Sequence, residues 1–541
     1  MAETALVTPE VTPQEHRRLR WALVLISLAQ LMVVLDSTIA NIALPYIGDD
    51  LDITSANLTW IVTGYALAFG GLLLLGGRLA DLFGRRLIFI IGVLIFAVAS
   101  LTGGLAQNEA MLLVSRGFQG LGAALASPAA LALITTTFPA GKERNRAFAV
   151  YAAMSGIGAA IGLILGGWLT GLDHPLGIAG WRYTFLIVVP IGLLAAFLAP
   201  RFFRESDRHA GELDIPGAIT GTAGLLGIVY GLSRAGNASY GWGDGQTIAS
   251  LVVGVVLLAV FIGIESRVEH PLLPFRIFRS RTRAISFVAM MIMPAAMFAM
   301  FFFLSLLIQN VVGYSPLKAG FAFVPFSIAM IISAMTASSL ISRVDPRYLA
   351  GTGTLLAAGA LFGFSRISVH ESPSASLAVL QGEALGADVN YWTHILPFVV
   401  LMALGMGMVF VPLTLTAVHH VQAADSGIGS GVLNTMQQVG GALGLATLST
   451  VALHFSTNRG EELAPGIADA ATRAGLAEQL GPRFESTVSE LASLTAFTEG
   501  ATTAFLVGAG MAVVSSVLIW IGLDVKHEEL ATDGPEGVGV H

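Results

Sequence analysis

The sequence predicts an all-α polytopic membrane protein with fourteen transmembrane helices. Of its 541 residues, 55% are hydrophobic and only 12% are charged, whereas a soluble domain usually has about 25% charged residues. A helix needs about 20 consecutive apolar residues to cross the hydrocarbon core of a bilayer. Fourteen stretches approach or exceed this length, at residues 21–44, 58–77, 87–105, 111–138, 147–171, 182–200, 215–235, 247–265, 284–309, 318–342, 348–366, 394–417, 429–453 and 500–524.

The predicted helices divide into two halves of six, with an inserted pair between them. Helical spacing over Ile467–Leu494 predicts one or two surface helices on the outer end of the bundle, with a flexible loop as the alternative. The expected segments are a cytoplasmic N-terminal tail at 1–20, a first half at 21–200, an inserted pair with a cytoplasmic linker at 201–283, a second half at 284–524 with an extracytoplasmic loop at 454–499, and a disordered cytoplasmic tail at 525–541.

Positive charge predicts the orientation of the chain in the membrane. Arginine and lysine concentrate in alternate loops, beginning with the N-terminal segment, whereas the opposite loops near Pro45, Gln107 and Asp173 carry none. Cytoplasmic loops carry such an excess of positive side chains. We therefore expect a multi-pass protein of the cytoplasmic (inner) membrane, with both termini in the cytoplasm.

Composition and motifs exclude several classes of protein. The chain has no cysteine, so no disulfide or thiolate metal site can form. A net charge of −7 does not indicate a nucleic-acid partner. Neither a GxxxxGK[ST] phosphate loop nor an HExxH metal motif is present. We expect a monomer that is not an enzyme and that holds neither a cofactor nor a metal.

Two charged residues lie inside predicted spans. Asp36 is in the first span and Arg116 is in the fourth. Ionisable groups within a bilayer are costly, so each is a functional candidate, Asp36 for proton binding and Arg116 as its electrostatic partner. The structural alternatives are a static salt bridge, a carboxylate capped by Ser37 or Thr38, and an arginine that binds backbone carbonyls.

A short charged turn separates the second and third predicted helices. Its glycines permit close backbone approach, and its charged residues can form a compact ion-pair cluster at a helix end. The plain alternative is an ordinary short, basic cytoplasmic loop. The residues concerned are Gly77, Arg78, Asp81, Gly84, Arg85 and Arg86.

The fifth predicted helix carries a glycine face. Gly158, Gly162 and Gly166 are four residues apart and share one side of the helix, and Gly167 follows directly. Small residues at this spacing allow two helices to approach closely and to slide. Simple tight packing explains the same spacing.

Other polar and aromatic residues within spans are candidates for the lining of a substrate cavity. Aromatic and methionine side chains suit bulky apolar ligands, although packing against lipid explains them equally well. The candidates are Gln119, Phe298, Phe302, Gln309, Asn434 and Gln437.

Four of these motifs resemble those of the major facilitator superfamily, and in particular its fourteen-span drug:proton antiporters (the DHA2 family). Leu35–Pro45 resembles the first-helix motif, and Gly77–Arg86 resembles the turn between the second and third helices. Arg116–Gly120 resembles the fourth-helix motif, whose arginine takes part in proton coupling. Gly158–Gly167 resembles the fifth-helix antiporter motif, except that Leu163 replaces its usual proline.

The nearest branch by resemblance is that of the mycobacterial EfpA-type pumps. The resemblance implies the major facilitator fold, with two six-helix halves plus two inserted central helices, and an efflux transporter that works by alternating access and proton antiport. It implies Asp36 as the protonation site and the charged turn as the inner gate latch. Hydrophobic or amphipathic small molecules are the expected substrates.

Two other functions stay open at this point. One is export or flipping of membrane lipids or lipid precursors, because apolar spans suit lipids as well as drugs. The other is a receptor or scaffold that transports nothing, against which stands the lack of a recognisable signalling domain in the sequence.

Overall fold

The computed structural model describes residues 13–139, 141–205, 213–237, 239–369, 379–380, 385–386, 388–419 and 426–532, and these contain no β-strand. Fourteen long helices dominate the described chain. They are α1 (Pro13–Leu51), α2 (Ser55–Phe83), α3 (Arg85–Gly104), α4 (Glu109–Thr137), α5 (Lys142–Thr170), α6 (Gly180–Leu186, continued by Val188–Phe202), α7 (Ile215–Gly236), α8 (Gly245–Glu265), α9 (Arg281–Leu306), α10 (Pro316–Leu340), α11 (Pro346–Phe364), α12 (Leu396–Val418), α13 (Ser426–Arg473) and α14 (Phe484–Gly522).

These helices confirm the predicted fold class. Each of the fourteen apolar stretches corresponds to one helix, in the same order, and runs at most three residues past its ends. Among the described residues, 13 helices are long and apolar enough to cross a membrane. The fourteenth is α11, which has 19 residues and packs against α12 and α14. Helices are expected here because a bilayer offers no water to bond exposed backbone groups.

Three segment boundaries differ from those expected. Helix α1 begins within the predicted tail 1–20, of which residues 1–12 lie outside the described chain. The predicted loop 454–499 is mostly helical, because α13 continues to Arg473 and α14 begins at Phe484. In the predicted disordered tail, His527–Thr532 forms a short helix, and 533–541 lie outside the described residues.

The surface helices expected over Ile467–Leu494 are thus extensions of the last two spans. Ile467 of α13 packs against Val488 and Leu491 of α14 in a small apolar cluster. This contact explains why the helices continue beyond the length that a bilayer requires. Gly475 and Gly481, both with positive φ, flank a short helix, Leu476–Leu480, that connects α13 to α14.

The halves meet along two seams. One apolar core lies within helices α1–α6 alone. A second core fills helices α9–α14 and extends into the first half at Ile42, Ile47 and Ile61 of α1 and α2. The seams are α2 against α13 and α5 against α10. The inserted helices α7 and α8 pack on each other, and α7 also lies against α2 and α13. The inserted pair therefore flanks one seam and leaves the space between the halves free.

Facing glycines fix several helix crossings within this frame. A side chain at any of them meets the opposite backbone, so the helices approach more closely than alanine permits. The pairs are Gly92 with Gly122 (α3–α4), Gly224 with Gly254 (α7–α8) and Gly353 with Gly405 (α11–α12).

Candidate functional site

A buried ion pair joins α1 to α4 in the middle of the first half. Arg116 Nη1 lies 2.6 Å from Asp36 Oδ2, and the two side chains are 1% and 2% exposed. Both residues were identified from the sequence as functional candidates, and the fold brings their side chains together. Buried charges are stable only when they are paired and hydrogen-bonded.

Neighbouring polar groups form further hydrogen bonds with this ion pair. Gln119 Nε2 donates to Asp36 Oδ1 and to Ser100 Oγ, both at 2.8 Å. Arg116 donates to Gln119 Oε1 at 2.8 Å and to the carbonyl of Ile61 at 2.7 Å. Gln119 was predicted to line the cavity, and that prediction is wrong. It lies one turn from Arg116 on the same face of α4, and it bonds the pair instead.

Tyr65 of α2 lies between the ion pair and the space between the halves. The Arg116 guanidinium stacks on the Tyr65 ring, 4.4 Å from its centroid. The Tyr65 hydroxyl is buried without a hydrogen-bond partner among the described residues. Both Tyr65 and Arg116 contribute to the cavity wall. Tyr65 could not be singled out from the sequence, because nothing in its local sequence shows which way the ring points.

A cavity of ≈ 1680 Å³ lies between the two halves. Helices α1, α2, α4 and α5 form one wall, and α9, α10 and α13 form the other. The second wall is aromatic, with Phe301 stacked edge-to-face on Phe326 at 4.9 Å and Phe298 beside them. Asn41 and Asn434 are among its neutral polar lining residues. The interior suits an apolar ligand with a few polar groups.

Of the six predicted cavity residues, two line this cavity and four, including Gln119, do not. Phe298 and Asn434 line it. Phe302 is instead buried against Phe303. Gln438 lines the wall in place of Gln437, because successive residues of a helix point about 100° apart. Gln309 lies just beyond the end of α9, in the π-helical segment Leu307–Val311, where it is buried.

The far end of the cavity is closed by bonds between the halves. Ser305 of α9 donates to the carbonyl of Asn41 at 2.9 Å, and Gln309 donates to the carbonyl of Ile42 at 3.2 Å. Gln309 therefore joins the halves rather than lining the cavity. The cavity mouth is at the opposite end, where the α2–α3 turn lies.

The charged turn borders the mouth but is not one cluster. Gly77, Arg78, Asp81 and Arg85 line the cavity, and Arg85 pairs with Asp81 at 3.3 Å. Gly84 ends α2 with φ +108°, a value that favours glycine.

Arg86 turns away from this group. It pairs at 3.3 Å with Glu205, just beyond α6, and bonds the carbonyl of Phe203. The predicted four-residue ion-pair cluster is therefore wrong, since Arg86 joins the turn to α6 instead.

The glycine face of α5 packs on α1. A side chain at Gly158 meets Val34, one at Gly162 meets Thr38, and one at Gly166 meets Ile39. Gly167 faces the other way and contacts the backbone of Pro316 at the start of α10. The four glycines therefore lie at two interfaces, one inside the first half and one between the halves.

Within the described part of the chain, no group of three or more His, Asp or Glu side chains could hold a metal ion. What the site offers is a buried ion pair behind the wall of a large, mostly apolar cavity that is open at one end.

The family model of the Major Facilitator Superfamily matches residues 26–445. The chain belongs to this superfamily. It is 39% identical over 526 residues to the puromycin resistance protein of Streptomyces alboniger, which covers 96% of this chain and 94% of that protein. It is 39% identical to the transporter EfpA of Mycobacterium tuberculosis over 80% of this chain and 76% of that one.

Another relative of this superfamily member is the cephamycin export protein of Amycolatopsis lactamdurans, 37% identical over 83% of this chain and 88% of that one. A bacterial homologue of the lysosomal transporter Spinster, in an inward-facing and occupied conformation, matches with a TM-score of 0.63 at 17% identity, covering 93% of this chain and 96% of that one. That likeness concerns the fold alone. The chain is a multi-pass membrane efflux transporter for small molecules.

Proposed function

We propose that this transporter exports hydrophobic or amphipathic small molecules in exchange for protons. The observation that carries the proposal is the Asp36–Arg116 pair, which is buried yet reaches the cavity wall through Arg116 and Tyr65. A carboxylate that can gain a proton there changes the charge of the site without any other ion.

Protonation of Asp36 removes the charged partner of Arg116. The guanidinium then keeps only the neutral acceptors Gln119 and Ile61, and a buried charge without a counter-charge is strongly destabilised. Arg116 therefore moves toward other acceptors or water, and its nearest open space is the cavity. A proton on Asp36 and a substrate in the cavity thus disfavour each other, which is what antiport requires.

The proposed location is the cytoplasmic membrane, with both termini inside and a single chain as the transporting unit. The excess of arginine around the α2–α3 turn supports this orientation. The cavity then faces the cytoplasm in this structure, and the bonds of Ser305 and Gln309 to α1 form the closed outer end. The turn at the mouth acts as the inner gate, which breaks and remakes the Asp81–Arg85 pair.

Movement between the two open states requires the α1–α5 and α5–α10 contacts to slide. Gly158, Gly162 and Gly166 leave α5 smooth against α1. No proline follows Gly162, and α5 is continuous from Lys142 to Thr170. We therefore assign the glycine face to sliding of a straight helix rather than to bending at a hinge.

A lipid is the second candidate substrate. The cavity volume of ≈ 1680 Å³ exceeds the roughly 300–1,000 Å³ typical of drug-sized ligand pockets. Its aromatic wall at Phe298, Phe301 and Phe326 suits acyl chains as well as drugs.

Puromycin is the first substrate to test, given the resistance protein that is similar over most of the chain. Purified transporter is reconstituted in liposomes, and puromycin accumulation is measured with and without an imposed pH gradient. The wild type accumulates puromycin only with the gradient. Asp36→Asn retains downhill exchange and loses accumulation, whereas Glu485→Gln, on the surface extension of α14, behaves as the wild type. Accumulation by Asp36→Asn at the wild-type level rejects the coupling role.

The same liposomes distinguish lipid transport from the transport of drug-like molecules. A fluorescent phospholipid is quenched from outside, and its appearance in the other leaflet is followed. Gradient-dependent lipid transfer without puromycin transport assigns the cavity to lipid, and puromycin transport without lipid transfer assigns it to drug-like molecules.

A further inference from the structure

A pair of acidic side chains is buried outside the Asp36 site. Asp214 is the N-cap of α7, and Glu265 is the last residue of α8. They are 4% and 3% exposed. The Asp214 carboxyl is close enough to the Glu265 carboxyl to act on it through its charge and at hydrogen-bonding range. Both belong to the inserted pair of helices, which neither six-helix half contains.

The hydrogen bonds of these two groups leave one oxygen of each without a donor. Asp214 Oδ1 accepts from the N–H of Gly217 at 2.8 Å, and Glu265 Oε2 accepts from the N–H of Leu273 at 2.9 Å. Asp214 Oδ2 and Glu265 Oε1 are buried and receive no N–H or O–H from the described residues. Ionised carboxylates only accept hydrogen bonds, so contact between two of them requires a proton on one.

Among the described residues, no positively charged side chain neutralises the two carboxylates in place of that proton. No arginine or lysine among the described residues forms an ion pair with Asp214 or Glu265. The groups that act on the Glu265 carboxyl are Asp214 and the backbone of Leu272 and Leu273. Further along, Glu269, His270 and Arg276 of the same linker line the cavity.

The linker between α8 and α9 is what this pair holds in place. Glu265 itself, together with linker residues from Ser266 to Arg276, lines the cavity near its mouth. The Leu273 N–H bond to Glu265 fixes the linker back on α8, with Leu272 buried beside it. A change in the charge of Glu265 therefore acts directly on a segment that borders the cavity entrance.

We propose that Asp214 and Glu265 form a proton-binding site, separate from Asp36, that holds the linker at the cavity mouth while one proton is bound between them. With the proton present, one carboxyl donates to the other and both orphan oxygens are satisfied. Without it, two buried negative charges repel each other, and Glu265 separates from Asp214 and releases Leu273. The proton-binding site does not depend on transport and can be measured without it.

The test uses the natural absence of cysteine in the chain. Spin labels at Val268→Cys, on the linker, and Leu131→Cys, on the α4 wall of the cavity, report the distance between the linker and the bundle by double electron–electron resonance. In the wild-type background we expect a narrow distance distribution at about pH 5 and a longer, broader one at about pH 9.

Neutral isosteres separate the site from other titrating groups. Glu265→Gln and Asp214→Asn both supply a permanent donor to the remaining carboxylate, so both keep the narrow distribution at either pH. Glu269→Gln removes a carboxylate of the same linker and retains the wild-type response. Asp36→Asn also retains it.

Three results overturn the proposal. The first is a wild-type distance that does not change with pH. The second is a pH response that persists in Glu265→Gln or Asp214→Asn, and the third is its loss in Asp36→Asn. Gel filtration and a thermal melt on each labelled variant establish that it is folded. Should Glu265→Gln fail to fold, Asp214→Asn alone decides the question.

Discussion

Arg116 Nη1 lies 2.6 Å from Asp36 Oδ2, and both residues belong to the first half of the bundle. The pair therefore does not itself join the two halves. Its protonation acts by changing how α1 packs on α4 and what the cavity wall presents through Arg116. A charge interaction inside a protein is much stronger than one in water, so a single proton has a large effect here.

Removal of the Asp36 charge is expected to destabilise the protein. Asp36→Asn leaves Arg116 buried without its counter-charge, which lowers the free energy of unfolding by about 3–5 kcal/mol. Thermal unfolding in detergent micelles measures the change. The double variant Asp36→Asn/Arg116→Gln removes both charges and recovers much of the loss.

Asp50 offers a matched control, because it pairs with Arg182 at 2.9 Å at the more exposed end of α1. Asp50→Asn is expected to lower the free energy of unfolding by only about 0–1 kcal/mol. Equal effects of Asp36→Asn and Asp50→Asn contradict the buried-pair account.

Gln119, which bonds the buried pair, is expected to contribute more to the stability of the protein than Gln437, which does not line the cavity. Gln119→Leu deprives Asp36 Oδ1 and Ser100 Oγ of a donor, and unsatisfied buried groups cost about 1–3 kcal/mol. Gln437→Leu, on a partly exposed face of α13, changes stability by less than about 0.5 kcal/mol. Chemical denaturation of both variants compares them, and a larger loss for Gln437→Leu refutes the assignment.

The contact of Gly162 with Thr38 predicts a size-dependent effect on transport. Gly162→Ala places a methyl group against the Thr38 hydroxyl, and such overpacking costs about 1–3 kcal/mol. We expect slower puromycin transport and a lower melting temperature. Thr38→Ala in the same chain removes the opposing atoms and restores much of both.

Gly117 is the control for helix propensity. A side chain there meets nothing within 4 Å, and alanine favours a helix over glycine by up to about 1 kcal/mol. Gly117→Ala therefore leaves stability unchanged or slightly higher. If Gly162→Ala behaves in the same way, α5 does not pack on α1 as described.

The C-terminal helix is expected to depend on Asp345, the N-cap of α11. His527 donates its backbone N–H to Asp345 Oδ1 at 3.0 Å, and its ring Nδ1 lies 2.8 Å from the same oxygen. These bonds lower the pKa of the Asp345 carboxyl. A lowered folded-state pKa stabilises the folded state above the unfolded value of about 3.9 and loses that effect as the pH falls through the folded value.

The contribution of Asp345 is thus complete at neutral pH. Asp345→Asn is expected to speed tryptic cleavage after the exposed Lys526, measured by mass spectrometry of the released peptide at about pH 8. Asp524→Asn, at an exposed position nearby, is expected to leave the rate unchanged. Equal cleavage of Asp345→Asn and the wild type contradicts the attachment.

The number of spans and the two charges of the central pair could be read from the sequence alone. Both follow from the bilayer, which requires about 20 apolar residues for each helix and makes any buried charge conspicuous. The turn glycine Gly84 was also readable, because positive φ favours glycine. Each of these signals is local in the chain.

Which face of each helix meets the cavity depends on how the helices pack in three dimensions. Gln437 and Gln438 differ by about 100° of helix rotation, and hydropathy does not reveal that angle when both sides of a span are apolar. Gln119 donates a hydrogen bond within the first half, and Gln309 donates one between the halves. Asp214 and Glu265 lie on different helices and meet only because α7 and α8 pack together.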